Sequence, residues 1–354
     1  MRKRRKSKEI KIGNISIGGD YPIAVQSMTN TKTSGYNATL SQVRALCGAG
    51  CDIVRLAVPN VDCAGVFAFL KQNGVTAPLV ADIHFDYRIA LACVEAGADK
   101  IRINPGNIGD PERIKAVSDA CRNAGVPIRV GVNSGSLEKK VLDAHGRADS
   151  AALAESALEN VHILEDFGFE DIVVAVKSSD VPTMIEANEI IAEKCAYPLH
   201  LGVTEAGSPA RGIIKSSVGI ASLLSRGIGD TIRVSLTADP VKEVEAAHAI
   251  LEYCGLEKND GIEVVSCPTC GRTNIDLIGL VNDFEARRSE IKRKGGLKVA
   301  IMGCAVNGPG EARGADIGLA GGDGVALIFK KGEIIKKVDQ SCAIDALIGE
   351  INLL

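Results

Sequence analysis

Eight short, apolar, β-rich runs recur along the chain, with helix-like segments between them. They are Ile23–Val25, Asp52–Leu56, Leu79–Ile83, Lys100–Ile103, Ile128–Val132, Ile172–Val176, Leu199–Val203 and Thr231–Leu236. Most are near-continuously apolar rather than alternating, as parallel strands covered on both faces require. The intervening segments carry helical spacing and glycine stops: Leu40, Val43 and Leu46 before Gly48 and Gly50, and Ile114, Val117 and Ala120 before Gly125. A glycine just past a helix, with a strand soon after, is the αβ connection of a βα repeat. Eight such units over roughly 220 residues predict an α/β fold of the TIM type, a (β/α)8 barrel. The rival, an open doubly wound sheet, lacks its Gly-x-Gly-x-x-Gly after the first strand.

The barrel is expected over residues 21–256. Before it, residues 1–20 hold a basic tail and an alternating Ile10–Ile17 segment that turns at Gly13-Asn14, the signature of a hairpin. After it, Glu257 to Gly261 reads as a linker into a smaller α+β domain, residues 257–354. Strands are expected at Ile262–Val265, Leu297–Met302, Ile317–Leu319, Val325–Phe329 and Ile334–Val338, with helices at Ile275–Ile291 and Ile344–Leu353. Between two strands, the Gly321-Gly322-Asp323-Gly324 cluster reads as a hairpin turn rather than a phosphate loop.

Composition excludes some functions. Aromatic residues make up 3% of 354 and Trp is absent, so base stacking is not a mode of action. A net charge of -3 gives no global attraction to nucleic acid or membrane. No apolar run is long enough for a membrane span, and Met1–Lys8 is basic without the apolar stretch of a signal peptide. That tail reads as a solvated terminus, and most of the eleven cysteines as reduced, buried thiols of a cytoplasmic protein.

Active sites of such barrels stand at the C-terminal ends of the strands. There the chain places Arg55, Asp82 with His84, Arg102 with Asn104, Arg129 with Asn133, Lys177, Thr204 with Glu205, and Arg233 with Ser235. Cations recur on five strands, and each buried charge needs a partner. An anion with several oxygens, a phosphate or diphosphate, would supply them; internal pairs with Asp52, Asp82, Glu205 or Asp230 are the alternative. Arg233 is the weakest member of the set, expected to face outward while Ser235 faces in.

In the smaller domain, Cys267-Pro268-Thr269-Cys270 follows one predicted strand and Cys304 another. Thiolates at this spacing suit an iron–sulfur cluster, a structural zinc or a dithiol redox pair. No His follows His248 to close a zinc site, while Glu311 lies seven residues past Cys304.

Several stretches resemble the 4-hydroxy-3-methylbut-2-en-1-yl diphosphate synthase family of the non-mevalonate isoprenoid pathway. They are Val54–Pro59, Ala81–Phe85, Lys100–Asn107, Arg129–Leu137, Leu201–Gly207, Ser266–Thr273 and Met302–Glu311. The resemblance runs in order over nearly the whole chain. It implies reductive ring opening of 2-C-methyl-D-erythritol 2,4-cyclodiphosphate to the hydroxylated allylic diphosphate. It also implies a [4Fe-4S] cluster on Cys267, Cys270, Cys304 and Glu311, the carboxylate being a hard, exchangeable ligand. Arg55, Arg102, Arg129, Asn133, Lys177 and Ser235 match the family's diphosphate site; Asp82 and Asn104 join them from the strand-end set. Glu205 matches an acidic residue near the reacting carbons, suited to proton handling. Flavodoxin or ferredoxin would donate electrons, and a head-to-tail homodimer would bring each cluster domain over its partner's barrel. The competing expectations are a non-redox barrel enzyme on a phosphorylated substrate with a structural zinc domain, and a nucleic-acid binder led by its basic tail.

Overall fold

A computed structural model of the chain describes residues 3–258, 261–292, 296–304 and 314–354. A hairpin of β1 (Ile10–Ile12) and β2 (Ile15–Ile17) comes first, turning at Gly13 with φ +56°. The barrel strands are β3 (Ala24–Met28), β4 (Ile53–Ala57), β5 (Leu79–Asp82), β6 (Lys100–Ile103), β7 (Ile128–Asn133), β8 (Ile172–Lys177), β9 (His200–Leu201) and β10 (Thr231–Ile232). All pair in parallel in the order β8-β7-β6-β5-β4-β3-β10-β9, and a Val174–Leu199 bridge closes the ring. The (β/α)8 barrel predicted from periodicity is the observed architecture.

Around the ring run α1 (Tyr36–Gly48), α2 (Val66–Gln72), α3 (Tyr87–Glu95), α4 (Pro105–Ile108), α5 (Pro111–Ala124), α6 (Lys139–His145), α7 (Ser150–Asp166), α8 (Val181–Lys194), α9 (Pro209–Ser225) and α10 (Pro240–Tyr253). Asp86, Asp110, Asp149, Asp180 and Asp239 each accept a first-turn backbone N–H, at α3, α5, α7, α8 and α10. Each such cap contributes about 1 kcal/mol. Proline in the first turn of α5, α8, α9 and α10 presets φ for the helix without losing an intrahelical bond.

Two expected strands are shorter than their apolar runs. β9 and β10 keep two residues each, because beyond Ile232 the chain turns toward α10: Leu236 N–H donates to Glu243 Oε1 at 3.0 Å instead of to a strand. The basic tail is also not a solvated end. Arg4 Nη2 and Ser7 Oγ donate to Asp230 Oδ1 at 2.9 and 2.7 Å, and Arg5 and Lys8 N–H groups bond the Gly227 and Ala196 carbonyls. It straps the β9–β10 seam, while Ile10, Ile12 and Ile17 of the hairpin pack on Ala24, Ile53, Val80 and Val173 and plug the barrel's N-terminal end.

The chain divides into two compact units between Glu257 and Lys258. In the second, β11 (Ile262–Ser266), β12 (Leu297–Met302), β13 (Ile317–Gly321), β14 (Val325–Lys330) and β15 (Glu333–Asp339) form one sheet in sequence order. The first three strands are parallel and the last two antiparallel. The glycine cluster is the β13–β14 hairpin turn, with Gly322 N–H bonded to the Val325 carbonyl. Helices α11 (Leu277–Ala286) and α12 (Ala343–Asn352) share a core with the sheet through Phe284, Leu347 and Ile351. The expected Ile275–Ile291 helix is shorter because Asp276 caps it, accepting from Gly279 N–H, and a 3-10 turn takes over at Arg288. Among the described residues, no helix is long and apolar enough to cross a membrane.

Candidate active site

In a parallel ladder, residues in register point the same way, so one inward side chain fixes its neighbours. Asp82 pairs with Arg102 and Arg102 with Arg129, which sets all three side chains inside the barrel. At the strands' C-terminal ends, Arg55, Arg102, Arg129, Gly131, Asn133, Ala175, Lys177, Thr204, Arg233 and Ser235 line a pocket of about 110 Å³. Of the sequence-predicted binding residues, Arg55, Arg102, Arg129, Asn133, Lys177 and Ser235 thus come together. Arg233, expected to face outward, joins them: it stands two residues before Ser235, its N–H still donates to the Leu201 carbonyl at 2.9 Å, and residues two apart on an extended chain share a face.

Asp82 stands behind this lining as a shared counter-charge. Arg55 Nη2 and Arg102 Nη1 pair with its two oxygens, the latter at 3.2 Å, and His84 Nε2 lies 3.6 Å away. Burial pushes the Asp82 pKa up, but the charges of Arg55 and Arg102 and the contact with His84 outweigh it. The carboxyl is held well below its ordinary range. Glu243 of α10 plays the same part for Arg233, at 3.3 Å, and was not foreseen; its only sequence signal is a carboxylate among the apolar positions of a barrel helix.

Arg129 and Lys177 have no carboxylate within ion-pair distance among the described residues, and Arg129 Nε and Nη1 have no hydrogen-bond partner there. Burial, then the neighbouring arginines, holds the pKa of each well below its usual value. The pocket therefore presents unused donors and uncompensated positive charge, the environment a multivalent oxyanion neutralises.

Asn104 is buried at the end of β6, where its Oδ1 accepts from Gly106 N–H at 3.2 Å and its Nδ2 has no partner among the described residues. Glu205 follows the pocket residue Thr204 in the loop after β9. It is exposed and left-handed, with φ +52°, a conformation that costs a non-glycine residue free energy and concentrates at functional loops.

In the second unit, Cys267 and Cys304 leave the C-terminal ends of β11 and β12, neighbouring parallel strands paired Ser266 to Ile301. Gly303 N–H donates to Cys267 Sγ at 3.2 Å, a bond suited to a thiolate. The Arg272 N–H and guanidinium hold the exposed Cys270 thiol below its ordinary pKa. All eleven cysteines are free thiols, and burial pushes Cys51, Cys93 and Cys121 up to about 12, as inert core thiols. No three His, Cys, Asp or Glu side chains converge on a metal position among the described residues, and Glu311 lies outside them. The donor set fits a soft, thiolate-bound group: free thiols on adjacent strand ends, one already receiving a backbone N–H.

Comparison with known proteins agrees with this architecture. The barrel resembles the crystal structure of dihydropteroate synthase from Stenotrophomonas maltophilia (TM-score 0.52, 14% identity, 72% of this chain and 99% of that one). It also resembles a type I 3-dehydroquinate dehydratase from Clostridium difficile (TM-score 0.51, 14% identity, 70% and 98%). At such identity the likeness concerns the fold alone. Full-length relatives are far closer. Proteins named 4-hydroxy-3-methylbut-2-en-1-yl diphosphate synthase (flavodoxin) are 55% identical in Clostridium perfringens, over 99% of both chains, and 49% identical in Bacillus subtilis, over 99% of this chain and 92% of that one. The GcpE TIM-barrel domain matches residues 7–248 and the GcpE protein C-terminal domain residues 263–353. With both parts matched in order and in full, the chain belongs to the GcpE family of 4-hydroxy-3-methylbut-2-en-1-yl diphosphate synthases.

Proposed function

We propose that the barrel mouth binds 2-C-methyl-D-erythritol 2,4-cyclodiphosphate, and that the enzyme opens its ring reductively. Two electrons and two protons enter, one water leaves, and the product is 4-hydroxy-3-methylbut-2-enyl diphosphate. The observation that carries this reading is the charge imbalance of the pocket. Five cationic side chains line it, while Asp82 and Glu243 already serve Arg55, Arg102 and Arg233, leaving Arg129 and Lys177 for the ligand.

Arg129, Lys177, Arg55 and Arg102 bind and orient the diphosphate oxygens, with Asn133 and Ser235 as neutral donors. Asp82 keeps two of the arginines aligned, and Asn104, buried at the end of β6, has an amide group free of partners among the described residues. Glu205, exposed in the left-handed loop position after Thr204, moves a proton at the substrate's reacting end. Holding the ring in one pose while fixed charges replace its water shell lowers the barrier by orientation and electrostatics. Cys267, Cys270, Cys304 and Glu311 would hold a [4Fe-4S] cluster. Such a cluster supplies single electrons when bound, and flavodoxin, the donor in the relatives' names, is the proposed source.

A head-to-tail homodimer is part of the same proposal. The eighth barrel helix, α10, ends at the plugged end, so the segment leading to the cysteine unit starts away from the mouth. An apolar groove of about 410 Å³ between α9 and α10, flanked by exposed Ile214, Val218 and Tyr253, supports self-association of the barrel.

The test is anaerobic turnover of the cyclic diphosphate with an artificial reductant. Product formation, with about four irons per chain, is expected. A colourless zinc protein without turnover would overturn the reading.

A further inference from the structure

The barrel interior is polar one layer deeper than the pocket. Lys100 pairs in register with Val80, a member of the apolar plug, and so faces inward one layer below Arg102. Its side chain is wholly enclosed, and its one hydrogen-bond partner among the described residues is Gln26 Oε1, at 3.4 Å.

The charges that act on it are cations, Arg129 on β7 and Arg55 on β4, with Arg102 at the next inward position of its own strand and Lys177 lining the pocket above. Arg233, past β10, is held by Glu243, and His200 on β9 is a further buried base. The inward carboxylate of β5, Asp82, is taken by Arg55 and Arg102, and no carboxylate lies within ion-pair distance of Lys100 among the described residues. Donors accumulate here: Gln26 Nε2 and Arg129 Nε and Nη1 are buried without partners among the described residues. An ammonium sealed in this layer would be an unshared charge among like charges. Burial and the Arg129 and Arg55 charges hold the Lys100 pKa well below the usual lysine value.

We propose that Lys100 is a proton-accepting floor beneath the pocket, neutral under the empty site and taking one proton from solvent as the cyclic diphosphate enters. The inference rests on the diphosphate reading above. Each phosphorus of that ligand carries one strongly acidic oxygen, so the ligand is a dianion at any working pH and exchanges no proton itself. Its charge, arriving above a low-dielectric layer, favours the ammonium over the amine. Binding then tightens as pH falls, by up to about tenfold per unit between the free and bound pKa values of the amine. Lys177 differs in opening onto the pocket, where water and ligand reach it directly.

The experiment is calorimetric titration of the full-length resting enzyme with the cyclic diphosphate, without reductant, in two buffers of different ionisation enthalpy. The wild type should take up close to one proton (about 0.5–1) on binding. Lys100→Met, apolar and of similar length, should bind without uptake. Gln26→Glu gives the amine a resident partner and should abolish uptake by a separate route, which keeps the test decisive if Lys100→Met misfolds. Binding without uptake in the wild type overturns the inference, as does undiminished uptake in Lys100→Met, which would move the proton to Lys177 or His200. A wild type that binds no cyclic diphosphate overturns the pocket reading itself, and this inference with it.

Discussion

Arg102 lies across the backbone of Gly131, donating Nη2 to its carbonyl oxygen at 3.2 Å in space that a side chain would fill. A Cβ on Gly131 would stand 2.5 Å from Arg102 Nε, and one on Gly202 would stand 2.9 Å from Lys177 Nζ. Gly131 in β7 and Gly202 just past β9 thus lack side chains where cations pass. Gly131→Ala should displace Arg102 and raise KM for the cyclic diphosphate at least about tenfold, with a smaller change in kcat, at an overpacking cost of about 1–3 kcal/mol. Steady-state kinetics checks this; an unchanged KM would remove Arg102 from the binding set.

Asp82 is the counter-charge for two buried guanidinium groups, so removing its charge strands both. Asp82→Asn should destabilise the barrel by about 3–5 kcal/mol and abolish tight substrate binding. The sign of the pH dependence follows from its lowered pKa. Stability from this group is present above the unfolded carboxyl value of about 3.9 and is lost only as pH falls through the lower folded value. Acid unfolding of wild type and Asp82→Asn should therefore differ in stability at neutral pH and converge in strong acid, as denaturant titrations at several pH values would reveal.

The Asp230 carboxylate joins the tail to the β9–β10 seam, accepting from Arg4 and Ser7 on one oxygen and from Leu199 N–H on the other. Asp230→Ala should cost about 3 kcal/mol or more. It should also expose residues 3–8 to proteolysis, readable by limited digestion. The full-length protein should show negligible nucleic-acid affinity at any salt; strong salt-dependent binding that is lost with the tail would restore the rival reading.

The α9–α10 groove gives the dimer a direct test. Val218 is 53% and Ile214 63% exposed, so a charge at either position leaves the folded protomer intact. Val218→Asp should shift the protein from dimer to monomer in sedimentation, with loss of turnover under otherwise saturating conditions. A Val218→Asp dimer of full activity would place the contact elsewhere.

Much of this was legible in the residues because barrels obey two simple periods. The apolar runs and the glycine after α5 marked βα units, and the rule that sites stand at strand ends gathered Arg102 and Arg129 at the mouth. Arg233 was misassigned by a slip in the period: two residues from Ser235 on an extended chain, it shares that residue's face. Lys100 and Gln26 escaped notice because attention to strand ends passes over the layer beneath them. The docked tail was unreadable for another reason: Arg4 finds its partner 226 residues away, and no local pattern announces Asp230.

That last contact sets an order of events on the ribosome. The strap emerges before any barrel strand, yet its anchor at Asp230 is made only after a further 226 residues have been synthesised. At roughly 5–20 residues per second the tail waits on the order of 10–50 s before it can dock. Its run of lysine and arginine keeps it soluble meanwhile, and barrel closure becomes a late, single event rather than a gradual one.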